Sequence, residues 1–291
     1  MGTAIIGGCH RGRAQVSAGH DHTCALRSNG TILCWGNNDS AQSTPPAGKF
    51  YQISAGFYHA CGVKTDGTVA CWGGNIFGEG TPPSGTFIQV SAGSVHTCGL
   101  RLDGSIICWG GNALGQSTPP AGTFGQVSAG AVHTCGLKTD SAASCWGKLE
   151  EGEAVNEPQI SAGIKNRPNA KNNPNPLAVK RFAEEAAKNA GIRLSDLKAA
   201  AGVAPTHLEN GAPSGAFSQV SAGTNHTCGV KNGGSVVCWS HNSSGENTAP
   251  AGTFIQVSAG FSHTCGVKTD GTVACWGSNR YGESTPPAGA L

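Results

Sequence analysis

Twelve of the 13 cysteines stand in pairs ten residues apart: Cys24/Cys34, Cys61/Cys71, Cys98/Cys108, Cys135/Cys145, Cys228/Cys238 and Cys265/Cys275. Pairs of this kind serve a disulfide bond, a buried set of reduced thiols, or a metal centre. A histidine precedes the first cysteine of every pair by two positions, at His22, His59, His96, His133, His226 and His263. His263, Cys265 and Cys275 could therefore share a face, but three ligands at that spacing match no familiar zinc pattern, and no metal site is expected. A strictly repeated, even pairing favours disulfides, with reduced core thiols as the alternative. Cys9 is left over, either free, lipidated or bonded to another molecule.

The elements that must position these sulfurs are hairpins. Each pair is centred on a turn, at Asn29, Asp66, Asp103, Asp140, Gly233 and Asp270. Asp270-Gly271 is a strong hairpin signal, because glycine supplies the positive φ of the turn at no steric cost. Residues equidistant from the centre of an odd-length loop face one another, which brings both cysteines within disulfide reach. One such short loop closure is worth about 2 to 3 kcal/mol in the chain-entropy model. Around the last pair, Gln256 to Ser258, Thr264 to Lys268 and Thr272 to Trp276 have strand composition. The Pro-Pro segment that follows suits an outer edge strand or a loop, since proline cannot donate to a ladder.

The hairpins belong to a repeat. Ser-Ala-Gly begins at Ser17, Ser54, Ser91, Ser128, Ser161, Ser221 and Ser258, with steps of 37 residues except around the fifth unit, where 33 and 60 occur. Seven units are expected, near residues 14–49, 50–86, 87–123, 124–158, 159–216, 217–253 and 254–291. Three to four short strands per unit at this period read as propeller blades. The fold expected is all-β, a seven-bladed β-propeller with a small helical insertion in the fifth blade. Segment 1–13 precedes it, and Thr3 to Ile6 could add a closing strand.

The segments S-A-G-x-x-H-T-C-G, D-G-x-V-x-C-W-G and G-x-S-T-P-P resemble the regulator of chromosome condensation repeat in its short bacterial form, over nearly all of residues 14–291 apart from the insertion. The Trp-Gly and Thr-x-Pro-Ala rhythm is also similar to that of the β-lactamase inhibitory propeller proteins. The resemblance implies seven blades about a central axis. The wedge with which the eukaryotic chromatin member engages a small GTPase has no matching residues here, so its exchange activity is not carried over.

Other recurring side chains read as structural. One histidine per unit is expected to fix local backbone through its ring nitrogens, and Trp35, Trp72, Trp109, Trp146, Trp239 and Trp276 to supply packing area. No nucleophile elbow, phosphate loop or His-Glu-x-x-His motif occurs, so no enzyme and no cofactor are expected. A net charge of +2 with 12% charged residues argues against nucleic acid as a partner. No apolar run is long enough for a transmembrane segment. Met1 to His10 lacks a typical secretory leader, although Ile6-Gly7-Gly8-Cys9 resembles the end of a bacterial lipobox.

The fifth unit departs from the rest. Lys148 to Gly211 holds 17 of the 36 charged residues and neither Cys nor Trp. Within the insertion, 164–211, Lys165 to Pro176 reads as a connector. Val179, Phe182, Ala186 and Ala190 then share one helical face, opened by Asn175-Pro176 and stopped by Gly191. A second short helix is expected at Asp196 to Ala201, and the stretch onward to Gly211 partly resembles a phage-repressor helix-turn-helix. Nine basic against eight acidic residues do not suit DNA binding.

The function expected is a noncatalytic binding scaffold, secreted or surface-associated, in an extracellular or periplasmic compartment. Its partner is a protein, or a glycan, met by loop tips and by the insertion. Candidate contact residues are Phe77, Leu114, Arg280 and Tyr281 on the tips, with Phe182 and Arg193 in the insertion. The alternatives are a cytoplasmic regulator of a small GTPase or chromatin factor, and an enzyme with its site at the axial channel.

Overall fold

A computed structural model of the chain describes residues 14–140, 143–148, 213, 217–224, 226–240 and 242–291. Segment 1–13 and the insertion 164–211, with Phe182 and Arg193, lie outside the described residues. Every described element is a strand, and the strands form six antiparallel three-stranded sheets. Numbered by sequence unit, the first blade holds β1 (Gln15–Ala18), β2 (His22–Leu26) and β3 (Ile32–Gly36). The second holds β4 (Phe50–Ala55), β5 (His59–Lys64) and β6 (Val69–Gly73), and the third β7 (Gln89–Ala92), β8 (His96–Leu100) and β9 (Ile106–Gly110). The fourth holds β10 (Phe124–Ala129), β11 (His133–Lys138) and β12 (Ala143–Gly147). The sixth holds β13 (Phe217–Ala222), β14 (His226–Lys231) and β15 (Val236–Ser240), and the seventh β16 (Phe254–Ala259), β17 (His263–Lys268) and β18 (Val273–Gly277). Each blade has three strands, and the proline-bearing segments that follow are loops.

The hairpin geometry follows the turn chemistry. Gly271 adopts φ +85°, Lys268 N–H donates to Thr272 O, and three residues lie between them. With that odd loop Cys265 falls opposite Cys275, and the same register recurs in the other five blades. All six pairs are disulfides: Cys24 is bonded to Cys34, Cys61 to Cys71, Cys98 to Cys108, Cys135 to Cys145, Cys228 to Cys238 and Cys265 to Cys275. Cys61, Cys98, Cys135, Cys228 and Cys265 on the middle strands are buried, but their partners Cys71, Cys108, Cys145, Cys238 and Cys275 on the third strands are only partly so. With both sulfurs bonded, neither Cys265 nor Cys275 offers a thiolate to a metal.

Blades join through side chains that imitate backbone. Gln52 Oε1 accepts from Val90 N–H and its Nε2 donates to Val90 O, so one amide side chain extends the second blade's inner strand onto the third. Two residues on, Ser54 Oγ accepts from Ala92 N–H. Period-2 geometry puts Gln and Ser of the Gln-x-Ser-Ala segment on one face, which lets both reach the same neighbour. Gln256 and Ser258 of the seventh blade do this to Val16 and Ala18 of the first, so the last blade abuts the first. The core lies in these seams. Phe50, Ile53 and Trp72 of the second blade pack on Leu26 and Cys34 of the first, and comparable clusters fill the other described seams.

Candidate functional site

The chain turns at the axis between the first two strands of each blade. There Phe57 N–H donates to Gly93 O of the next blade, and the equivalent bond recurs from His20, Ser94, Thr224 and Phe261. The approach is close enough to demand glycine for want of space: a Cβ on Gly56 would stand 2.3 Å from Gly93 O. The Ser-Ala-Gly segments thus ring an axial cavity of about 110 Å³. Their serines are committed to the seams, so what the mouth of the cavity presents is set by the residue after each Gly.

That residue is not repeated. Proceeding round the described blades it is His20, Phe57, Ser94, Ala131, Thr224 and Phe261. Because the seventh blade abuts the first, Phe261, His20 and Phe57 are neighbours, and their rings form a triangle in which His20 is 4.1 and 3.8 Å from the two phenyls and these meet edge-on at 6.2 Å. Tyr58 meets Phe57 edge-on at 4.5 Å. His20 Nδ1 is 2.6 Å from Asp21 Oδ2. Three contiguous blades therefore carry the large rings, and the other three described blades carry the smaller Ser94, Ala131 and Thr224.

The loops leaving the third strands lie on the same face. Gly74 N–H donates to Tyr58 O, and Asn37, Gly111, Lys148 and Ser278 make the matching bond to Asp21, Val95, Val132 and Ser262. Each loop is then pinned from within. Asn75 Oδ1 accepts from Gly80 N–H and its Nδ2 donates to Thr81 Oγ1, a device shared by Asn112 and Asn279. Buried Glu79, Gln116 and Glu283 accept from the N–H of Phe77, Leu114 and Tyr281. These three expected contact residues occupy one equivalent position and stand 57%, 44% and 41% exposed. Arg280 lays its guanidinium 5.5 Å from the Tyr281 ring centre. Ile76 is 85% and Tyr58 49% exposed. The paired cysteines take no part in this face: Cys108 in β9 and Cys145 in β12, like their counterparts in the other blades, sit in mid-strand and brace a hairpin.

The sequence reading missed His20, Asp21, Phe57, Tyr58 and Phe261. Their signal was variation at the two positions between Gly and His inside an otherwise constant frame, and it gains meaning only when ring closure sets residue 261 beside residue 20. The recurring histidines differ from expectation in another way. They do not fix their own backbone: His59, His96, His226 and His263 each meet the hydroxyl of Thr97, Thr134, Thr264 and Thr23 on the following blade. Burial lowers His22 to about 3 and His59, His96 and His263 to about 4, so these imidazoles are neutral, and His59, His96 and His263 act as struts between blades. Trp72 and Trp109 pack as expected and also donate Nε1–H to Gln42 O and Glu79 O of the preceding blade.

A family model described as the regulator of chromosome condensation (RCC1) repeat matches residues 14–42, 50–79, 87–116, 217–246 and 254–283, together just over half the chain. Among solved structures, the CRINKLY WD40 ectodomain of the Arabidopsis thaliana receptor kinase ACR4 is 25% identical, with 90% of this chain and 80% of that one covered and a TM-score of 0.46. Prp20p from Saccharomyces cerevisiae is 16% identical over 91% of this chain and 72% of its own, with a TM-score of 0.48. Human WBSCR16 is 14% identical over 93% and 78%, with a TM-score of 0.49. No curated protein sequence matches. Among the described residues no helix is long and apolar enough to cross a membrane.

Proposed function

The chain belongs to the regulator of chromosome condensation repeat family, and from that premise we propose that it is a noncatalytic binding scaffold whose working surface is the face bearing Tyr58, Phe77, Leu114 and Tyr281. The observation that carries this reading is the run of rings across three contiguous blades, Phe261 with Tyr281, then His20, then Phe57 with Tyr58 and Phe77, on loops whose own polar groups are already satisfied. Rigid loops that expose aromatic side chains suit recognition, because little ordering entropy is lost on binding. The histidines that could have served catalysis are spent as buried struts between blades.

Two further features belong to this proposal. The ring has seven blades, a count supported by Ser161-Ala162-Gly163, which carries the axial triplet once more between the fourth and sixth units. The protein works in an oxidising compartment, outside the cell or in a periplasm, which the six hairpin disulfides support. Thiol counting on protein from its native source tests the compartment: twelve free thiols there would favour a cytoplasmic regulator.

Panels of surface proteins and glycans offered to immobilised protein test the face itself. Ligand capture is expected to fall in Tyr58→Ala, Phe77→Ala and Tyr281→Ala and to persist in Leu102→Ala, which changes an exposed residue on a hairpin turn at the far end of the strands. Capture equal in all four variants would remove the face from consideration.

A further inference from the structure

Resting on that reading of the face, we propose that its axial end, formed by His20, Asp21 and Tyr58, is a subsite for a neutral saccharide. The groups open at this point are few and specific. His20 Nδ1 stands 2.6 Å from Asp21 Oδ2 but makes no hydrogen bond, and both side chains are partly exposed, so the imidazole and the carboxylate keep hydrogen-bonding capacity for a ligand. The two phenyl rings fix the imidazole plane, so its free edge is oriented in advance. Half-exposed Tyr58 stands beside them as a wall, its ring centre 6.0 Å from that of His20.

A hydroxyl is the ligand group that answers this set. It both donates and accepts, so it pairs with Nε2 whether that nitrogen carries a proton or a lone pair, and it donates to Asp21 Oδ1. The C–H face of a pyranose supplies the apolar surface that a tyrosine ring covers, as binding sites commonly combine an aromatic wall with a few placed polar groups. A charged ligand fits less well. The loops of this face carry Asp21 and Asp39 against Lys148 and Arg280, with the neutral Asn38, Asn75 and Asn279, so neither sign dominates. Among the described blades the other positions at the mouth carry the smaller Ser94, Ala131 and Thr224, so the bulky wall stands on the aromatic side.

Titration of the oxidised protein with glucose, galactose, mannose and N-acetylglucosamine, followed by the NMR signals of the His20 imidazole and the Tyr58 ring, tests the assignment. At least one sugar is expected to shift both sets of signals saturably, with affinity of about 1 to 10 mM as suits one small subsite. Asp21→Asn and Tyr58→Ala are each expected to weaken it about tenfold, while Leu102→Ala, exposed on a hairpin turn at the far end of the strands, leaves it unchanged. Silence from all four sugars, or binding indifferent to both variants, overturns the subsite. If a protein from the surface panel is captured in a Tyr58-dependent way while the sugars stay silent, the saccharide assignment falls and the binding face stands.

Discussion

His59 of the second blade and Thr97 of the third meet across their seam, Nε2 to Oγ1, at 2.7 Å. Thr97 Oγ1 donates its one proton to Glu79 O, so it accepts from the imidazole, which fixes the Nε2–H tautomer of His59. Trp109 Nε1 donates to the same Glu79 carbonyl, and a single oxygen thereby gathers two side chains of the following blade. His96, His226 and His263 repeat the contact. His22 does not: the second blade carries Ala60 where the next threonine should stand, and both ring nitrogens of fully buried His22 lack a partner.

Restoring the missing hydroxyl should stabilise the chain. Ala60→Thr places an acceptor opposite His22 Nε2 and a donor toward Gln42 O, the carbonyl already used by Trp72. The expected gain is about 1 kcal/mol, the net value of one buried hydrogen bond with relief of an unsatisfied donor. The converse change, Thr97→Ala, leaves His59 Nε2 orphaned and should cost about 1 to 3 kcal/mol. Urea midpoints of the two variants check both signs, and a destabilised Ala60→Thr would mean that the seam cannot accept the added atoms.

Gly56→Ala should be among the most damaging single-methyl changes. The added Cβ meets the backbone Gly93 O at 2.3 Å, then the His59 ring Cε1 at 2.9 Å and Ala92 Cβ at 3.1 Å, and that ring is itself tied to Thr97 and cannot swing aside freely. Separating the blades to admit it breaks the Phe57 N–H to Gly93 O bond and strains the Gln52 and Ser54 contacts below. Overpacking of this kind costs about 1 to 3 kcal/mol or more. Circular dichroism melts with thiol counting would show a lower Tm while all six hairpin disulfides remain, since the damage lies between blades.

The hairpins were legible from sequence because their determinants are local. An Asp-Gly turn fixes the loop, the loop fixes the register, and the register pairs Cys265 with Cys275 over ten residues, as it pairs Cys98 with Cys108. Cys145 bonds Cys135 although the sequence between them reads Asp140-Ser141 without the glycine, so there the repeat and not the turn signal foretold the pair. The seam chemistry was not legible, because it links residues such as Gln52 and Val90 that lie 38 apart and show no pattern until the blades are set side by side. The candidate site lay further out of reach. Phe77, Leu114 and Tyr281 stood out as variable tips at one repeated position, whereas His20, Phe57 and Phe261 read as scattered single residues. No sequence pattern marks Glu79, Gln116 and Glu283 as buried, and only the structure places each beneath a loop tip.

Removing one hairpin disulfide should lower stability without unravelling the ring. The Cys61→Ala/Cys71→Ala pair opens a loop closed over ten residues, for an expected loss of about 2 to 3 kcal/mol. Cys61 is fully buried and Cys71 partly so, and the truncation adds a small cavity cost to the entropic one. Replacing both cysteines avoids leaving a free thiol able to exchange with the other five bonds. A denaturant midpoint unchanged from the parent would show that the blade seams alone set the stability.

Acid should unfold the protein steeply, beginning well above the carboxylate range. His22, His59, His96 and His263 titrate near 3 to 4 in the folded chain because burial strips water from the imidazolium, and His263 and His59 further disfavour charge on His22. Their ordinary value is 6.5. The unfolded chain therefore takes up protons that the folded one refuses. Stability from this source is complete above about pH 7 and falls by about 1.4 kcal/mol per histidine per pH unit between about pH 6.5 and 4. Four such groups give at most about 5 kcal/mol per unit in that window. Asp66, Asp103 and Asp270, whose carboxyls are held low by hydrogen bonds from Thr68, Ser105 and Thr272, act in a separate and lower window, losing their contribution only as they are protonated below 3.8. Urea midpoints at pH 7, 6 and 5 should fall progressively. His96→Gln keeps an amide donor for Thr134 while deleting one titrating group, so its profile should be shallower by about one histidine's share; a slope equal to the parent's would show that His96 is charged in the fold or that its burial is incomplete.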